Sequence, residues 1–190
     1  MKPMIKDAIL ASLRVKEALL ADEKALETIE AVAKLLVETY RSGHKTLWAG
    51  NGGSAADAQH MAAELVNKFR LDRKGIPAIA LTTNSSVVTA VGNDYGYETL
   101  FARQIEAFGE RGDVFIGIST SGRSRNLLLA QEACRKAGVV TVALTGERPC
   151  EMDTWDHVIK VPSEDTPRIQ ECQTLIGHIL CDIVETELFG

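Results

Sequence analysis

His60 and Glu64 stand four residues apart in a stretch, residues 54–70, whose pattern is helical. On a helix that interval puts both side chains on one face, with Cβ atoms about 5–6 Å apart. A histidine and a glutamate so placed suit a metal pair or an acid/base pair. Met61, Ala62 and Leu65 make the helix amphipathic, and a plain polar stripe would carry the same two residues. Gln170 and His178 lie on the last helical stretch, near 167–188. Eight residues amount to about 12 Å of rise and roughly 80° of rotation. The two therefore reach one metal only with extended side chains, or with groups from different subunits. His178 also sits among Leu175, Ile176, Ile179 and Leu180, surroundings that suit a core histidine. His44 and His157 stand beside strand starts and read as structural.

Three loops have the residues to hold an anionic or hydroxyl-bearing ligand. Gly50-Asn51-Gly52-Gly53-Ser54 follows an apolar run and opens a helix. Glycines let backbone approach an anion, and a helix N-terminus offers free N–H groups. It is neither Gly-x-Gly-x-x-Gly nor a P-loop. A tight strand-to-helix turn capped by Ser54 would fit the same residues. Ser119-Thr120-Ser121-Gly122-Arg123-Ser124 offers hydroxyls and a glycine between a strand and a helix, the makings of a phosphate nest. A cap needs one hydroxyl, so the surplus favours a ligand. Arg123 and Arg125 could add charge there, or be solvated. Gly92-Asn93-Asp94-Tyr95-Gly96 reads as a polar turn whose carboxylate could hold sugar hydroxyls.

The elements that position these loops are legible. Residues 4–42 read as helical, with a weak point at Ala21-Asp22-Glu23 that predicts two helices or one bent one. Such long amphipathic faces at the N-terminus suggest oligomerisation. Five short apolar runs follow: Thr46–Ala49, Ala78–Leu81, Val114–Ile118, Val139–Leu144 and Val158–Val161. Each is apolar on both faces, as in strands covered by helices on both sides. Helical patterns at 54–70, 98–108, 123–137 and 167–188 separate them, which implies a parallel, right-handed α/β sheet in three layers. If the strand order is 2-1-3-4-5, the switch point falls between strands one and three, where the glycine loop and the hydroxyl loop both emerge.

Bulk composition excludes other classes. The 190 residues suggest one domain, with residues 1–43 as the N-terminal oligomerisation helices and 44–190 as the α/β core. Lys+Arg 21 against Asp+Glu 26 leaves a net charge of -5 and no basic block, so no nucleic-acid partner is expected. No stretch approaches the ~18 apolar residues of a membrane span, and no signal peptide is read. The four cysteines lack Cys-x-x-Cys spacing and read as reduced thiols of a cytoplasmic protein.

Taken in order, five stretches resemble the phosphoheptose isomerases of the sugar-isomerase (SIS) domain superfamily. They are Gly50–His60, Ala62–Leu65, Gly92–Gly96, Gly117–Gly122 and Arg168–Glu171, with His178 at the family's spacing after Gln170. The resemblance runs over essentially the whole chain. It implies a single SIS domain with a five-stranded flavodoxin-like sheet, and a homotetramer with active sites near subunit interfaces. It implies conversion of sedoheptulose 7-phosphate to D-glycero-D-manno-heptose 7-phosphate through an enediol, an early step of ADP/GDP-heptose supply for lipopolysaccharide or related glycans.

Carried over by position, His60, Glu64, Gln170 and His178 look like zinc ligands, one zinc per subunit. Asn51, Gly52, Gly53, Ser54, Glu64, Asn93, Asp94, Ser119, Thr120, Ser121, Ser124 and Gln170 look like substrate contacts. Glu64 and His178 look like the acid/base pair. Two departures stand out: Gln173 where relatives usually have His, and Glu147-Arg148-Pro149-Cys150 where many have Gly-Gly. The rival readings are three. One is a replication-initiator-associating protein of the same fold, which lacks the Glu and the final His. One is a sugar-phosphate-sensing regulator. The last is an isomerase of another sugar phosphate.

Overall fold

The structure is a computed structural model that describes residues 1–190. Five parallel strands are the spine: β1 Thr46–Gly50, β2 Ala78–Ala80, β3 Val114–Ile118, β4 Val140–Gly146 and β5 His157–Val161. Their spatial order is β2-β1-β3-β4-β5. All five residues of β1 and of β3 are buried, which explains runs without polar alternation. Period-two alternation still sorts side chains between two cores. Trp48, Ile116 and Val142 face one, and Leu47, Phe115 and Ala143 the other.

Seven helices surround the sheet: α1 Lys2–Ala21, α2 Glu23–Arg41, α3 Gly53–Val66, α4 Ser85–Asp94, α5 Leu100–Phe108, α6 Arg125–Ala137 and α7 Thr166–Phe189. Helices α2, α3 and α7 cover the Trp48 side; α5 and α6 cover the other. On α2 the buried stripe is Ile29, Val32, Leu36 and Val37. Each such side chain contributes about 1.5–3 kcal/mol on full burial, which outweighs the modest helix propensity of its valines.

The expected break in the N-terminal helix falls at Asp22, whose Oδ1 accepts from the Ala25 amide at 3.0 Å as the cap of α2. Helix α1 rests on α7 through an Arg168 Nη1 bond to the Ala8 carbonyl, 2.5 Å, and through buried Leu19. A stripe beside this contact carries Ile5, Ile9 and Leu13, each about half exposed in the isolated chain (58%, 56% and 49%).

Helix α4 was not expected. The stretch read as a turn at Gly92-Asn93-Asp94 is the last turn of this helix, and the turn itself is confined to Tyr95-Gly96, with φ +86° at Gly96. The N-cap Asn84 accepts from the Val87 amide at 3.1 Å and starts a helix that β-branched Val87, Val88, Thr89 and Val91 disfavour on propensity.

Helix α3 stops at Val66 rather than at 70. The amides that would continue it turn instead to Glu185 on α7. Its carboxylate accepts from Phe69 at 2.9 Å, Arg70 at 2.5 Å, Leu71 at 2.6 Å and Arg73 Nε at 2.9 Å. Burial alone would push the Glu185 carboxyl up; those four donors outweigh it and hold it at about 2. A pKa depressed on folding adds stability above the ordinary glutamate value of 4.5, and that stability is lost as pH falls toward 2. Urea midpoints should therefore drop steeply between pH 4.5 and pH 2, and Glu185→Gln should flatten the slope in that window.

Candidate active site

The loops after β1 and β3 meet in the crevice at the switch point. Gly52 turns the chain with φ +57°, and Gly50 is pressed so closely on Ser54 that an added Cβ would lie 2.6 Å from its backbone. Ser54 is not the cap its position suggested. It lies inside α3, buried, and Gly52 occupies the cap position with no side-chain bond. Asn51 and Asn126 exchange amide hydrogen bonds of 3.1 and 2.9 Å, and the Tyr97 hydroxyl donates to Asn51 Oδ1 at 2.9 Å. This network ties the glycine loop to the first turn of α6 and to the segment after α4. Asn126 and Tyr97 escaped the sequence reading; the one available signal was an asparagine just after the hydroxyl-rich loop.

In that loop Ser119 is buried. Its Oγ accepts from the Gly122 amide at 3.1 Å and lies 3.3 Å from Ser124 Oγ. Gly122 has φ +64°, with Cys150 Sγ directly behind it. Ser124 makes no side-chain cap bond; its carbonyl accepts from the Leu127 amide at 3.0 Å, while no side chain caps the Arg125 and Asn126 amides of the 13-residue α6. Thr120 and Ser121 line a cleft of about 130 Å³ that Arg148 and Glu164 border. Arg148 is ion-paired with Glu164, and exposed Arg123 stands 3.9 Å from Glu151. Such a concave set of hydroxyls and helix-end amides suits a phosphate.

The acid, base and metal candidates converge where α3 packs on α7. His60 Nε2 lies 3.0 Å from Glu64 Oε1, and His178 Nε2 faces His60 Nε2 at 3.4 Å. Two N–H groups would repel at that distance, so one nitrogen presents its lone pair. One ligating atom from each of the three residues falls within 4.8 Å of the others. Zinc–nitrogen bonds of about 2.0–2.1 Å in a tetrahedron set donors about 3.3–3.4 Å apart; the separations of 3.0 and 3.4 Å are near that value, and two imidazoles with a carboxylate are a donor set that suits a metal ion of this kind. The Phe69 ring stacks at 5.4 Å on His178.

Gln170 lies two turns earlier on α7. Its amide covers Gly53, where an added Cβ would meet Nε2 at 2.6 Å. It thus stands at the junction between the glycine loop and α7. Asn93 and Asp94 are exposed at the end of α4 and bond each other at 2.8 Å. Gln173 is buried and donates to the Leu144 carbonyl at 2.9 Å, toward β4 rather than toward His60. Asp57 and Thr174, unremarked in the sequence, join the same two helices by a 2.8 Å bond.

The α3–α7 approach is close because Gly177 has no side chain. An added Cβ would lie 2.3 Å from Sδ of Met61, itself 1% exposed. Gly177→Ala should pry His178 from His60 and cost about 1–3 kcal/mol of overpacking. Combining it with Met61→Ala should restore much of the loss, read as urea midpoint and as rate.

Comparison with known proteins bears on the family. The SIS-domain family model matches residues 12–146. A phosphoheptose isomerase of Aneurinibacillus thermoaerophilus is 55% identical over 100% of this chain and 96% of its own length. One of Clostridium acetobutylicum is 52% identical over 100% and 97%. The structure of a phosphoheptose isomerase from Francisella tularensis superposes with a TM-score of 0.91 at 36% identity, covering 97% of each chain. The fold is thus that of a SIS-domain sugar isomerase. Within that class, the chain belongs to the phosphoheptose isomerase family, whose members are aldose–ketose isomerase enzymes.

Proposed function

We propose that the enzyme converts sedoheptulose 7-phosphate to D-glycero-D-manno-heptose 7-phosphate, early in heptose supply for lipopolysaccharide or related glycans. The observation that carries this reading is the convergence of Glu64, His60 and His178 on α3 and α7, helices that begin at the glycine loop and at the hydroxyl-lined cleft. The phosphate is assigned to Ser119, Thr120, Ser121, Ser124 and the α6 amides. The sugar is assigned to the Asn51-Gly52-Gly53-Ser54 loop, to Asn93 and Asp94, and to Gln170.

Isomerisation moves one proton between C1 and C2 and another between O1 and O2. Glu64 turns Oε1 toward His60, which leaves its second oxygen for the carbon-bound proton. His178, an imidazole with one donor and one acceptor nitrogen when neutral, passes the other between the oxygens. His60, Glu64, Gln170 and His178 would hold one zinc, which when bound supplies Lewis-acid polarisation of the carbonyl. Positioned proton transfer of this kind contributes about 10²–10⁴-fold in rate.

The half-exposed apolar face of α1 supports a homotetramer built on the N-terminal helices. All four cysteines are free thiols, in keeping with the cytoplasm. The test is turnover of sedoheptulose 7-phosphate by the purified protein, beside pentose and hexose phosphates. Formation of the aldoheptose phosphate is expected. Saturable binding of the sugar without turnover would replace the enzyme by a binding protein.

A further inference from the structure

We infer that the buried ion pair Arg73–Glu185 is the positioning device of the active site, its fork setting where Glu64 and His178 meet. The inference rests on the isomerase reading above. Both side chains are sealed from solvent, 2% and 1% exposed, and pair at 2.9 Å. Arg73 then reaches the end of α3: Nη2 donates to the Glu64 carbonyl at 2.9 Å and Nη1 to the Leu65 carbonyl at 2.6 Å. These are the carbonyls that a continued helix would have satisfied. Glu185 for its part gathers the amides of Phe69, Arg70 and Leu71, and so places the Phe69 ring on His178.

One ion pair therefore holds the backbone of the proposed base from one side and the ring packed on its partner from the other. It also joins α3 to α7, the two helices that carry all four zinc-ligand candidates. Apolar replacement of a buried pair often matches it in stability. Stability alone is then a weak reason for two sealed charges, whereas a planar fork on adjacent carbonyls is a geometric reason.

The experiment compares wild type with Arg73→Lys and Glu185→Gln, reading kcat and KM separately. A second readout is the visible absorption of protein loaded with Co²⁺ alone. Lysine keeps the charge opposite Glu185 but cannot fork onto both carbonyls. The expected result is a fall of about 10–100-fold in kcat with KM little changed, and an altered cobalt band. A variant with lowered thermal stability but unchanged kcat per folded molecule and an unchanged cobalt band would overturn the inference. If neither variant folds, Phe69→Leu decides, since it spares both charges: the same kcat loss and band change support the inference, and wild-type values overturn it. A wild type that neither turns over nor takes up cobalt would bring down the functional reading and this inference together. A wild type that does both, matched by its variants, would bring down this inference alone.

Discussion

Glu64→Gln will leave a folded protein that binds sugar phosphate and has lost at least about 10²–10⁴-fold in kcat. The side chain keeps its volume, and its amide can still hydrogen-bond His60 Nε2 from the position Oε1 now occupies at 3.0 Å. Glu64 is half-buried and its side chain bonds only His60, so stability of the metal-free protein should move by no more than about 0.5 kcal/mol. An amide cannot accept the carbon-bound proton. The loss should therefore appear equally in kcat and kcat/KM, as for a group that acts in the transition state. Rates near wild type, with the substitution confirmed by mass, would remove Glu64 from the chemistry.

Stripping the metal is the second large effect. Dialysis against a strong chelator should abolish turnover, and one equivalent of zinc per subunit should restore it. Because His60, Glu64 and His178 converge only when α3 packs on α7, zinc should bind the native state and not the unfolded one. At a free zinc concentration 100 times Kd, that preference adds about 2.7 kcal/mol of stability, visible as a raised Tm. Activity that survives with no zinc per subunit would leave the cluster as a metal-free acid/base site. Zinc that raises Tm without touching kcat would make it a structural clamp.

The sheet was legible because its strands are buried on both faces. Val114–Ile118 reads as a continuous apolar run for that reason, and it forms β3 with those bounds. The strand order was not legible, since pairing depends on crossovers that leave no local mark. The crevice could still be located conditionally, from two unusual loops after strands one and three. Helix α4 was hidden by its own chemistry. Thr82-Thr83-Asn84-Ser85-Ser86 looks like a loop, and valines follow, yet Asn84 caps a helix there.

Within the site, His60 and Glu64 were a visible pair, because four residues is a local distance on a helix. His178 lies 118 residues beyond His60, and nothing in its leucine-rich neighbourhood signals the 3.4 Å approach. Only the resemblance supplied it. Arg73 and Glu185 were invisible for a related reason. A charged residue in a sequence reads as solvated, and only a partner 112 residues away makes burial affordable.

That same distance along the chain sets an order of events during synthesis. Arg73 leaves the ribosome long before Glu185, and His60 long before His178. A nascent chain that ends before α7 holds a sheet it can begin to form, an α3 with uncapped terminal carbonyls, and a guanidinium that no interior will accept. The crevice between β1 and β3 can assemble early; the catalytic corner cannot. With Glu64 and His178 in the roles proposed above, proton-transfer chemistry would switch on only with the docking of a single late helix.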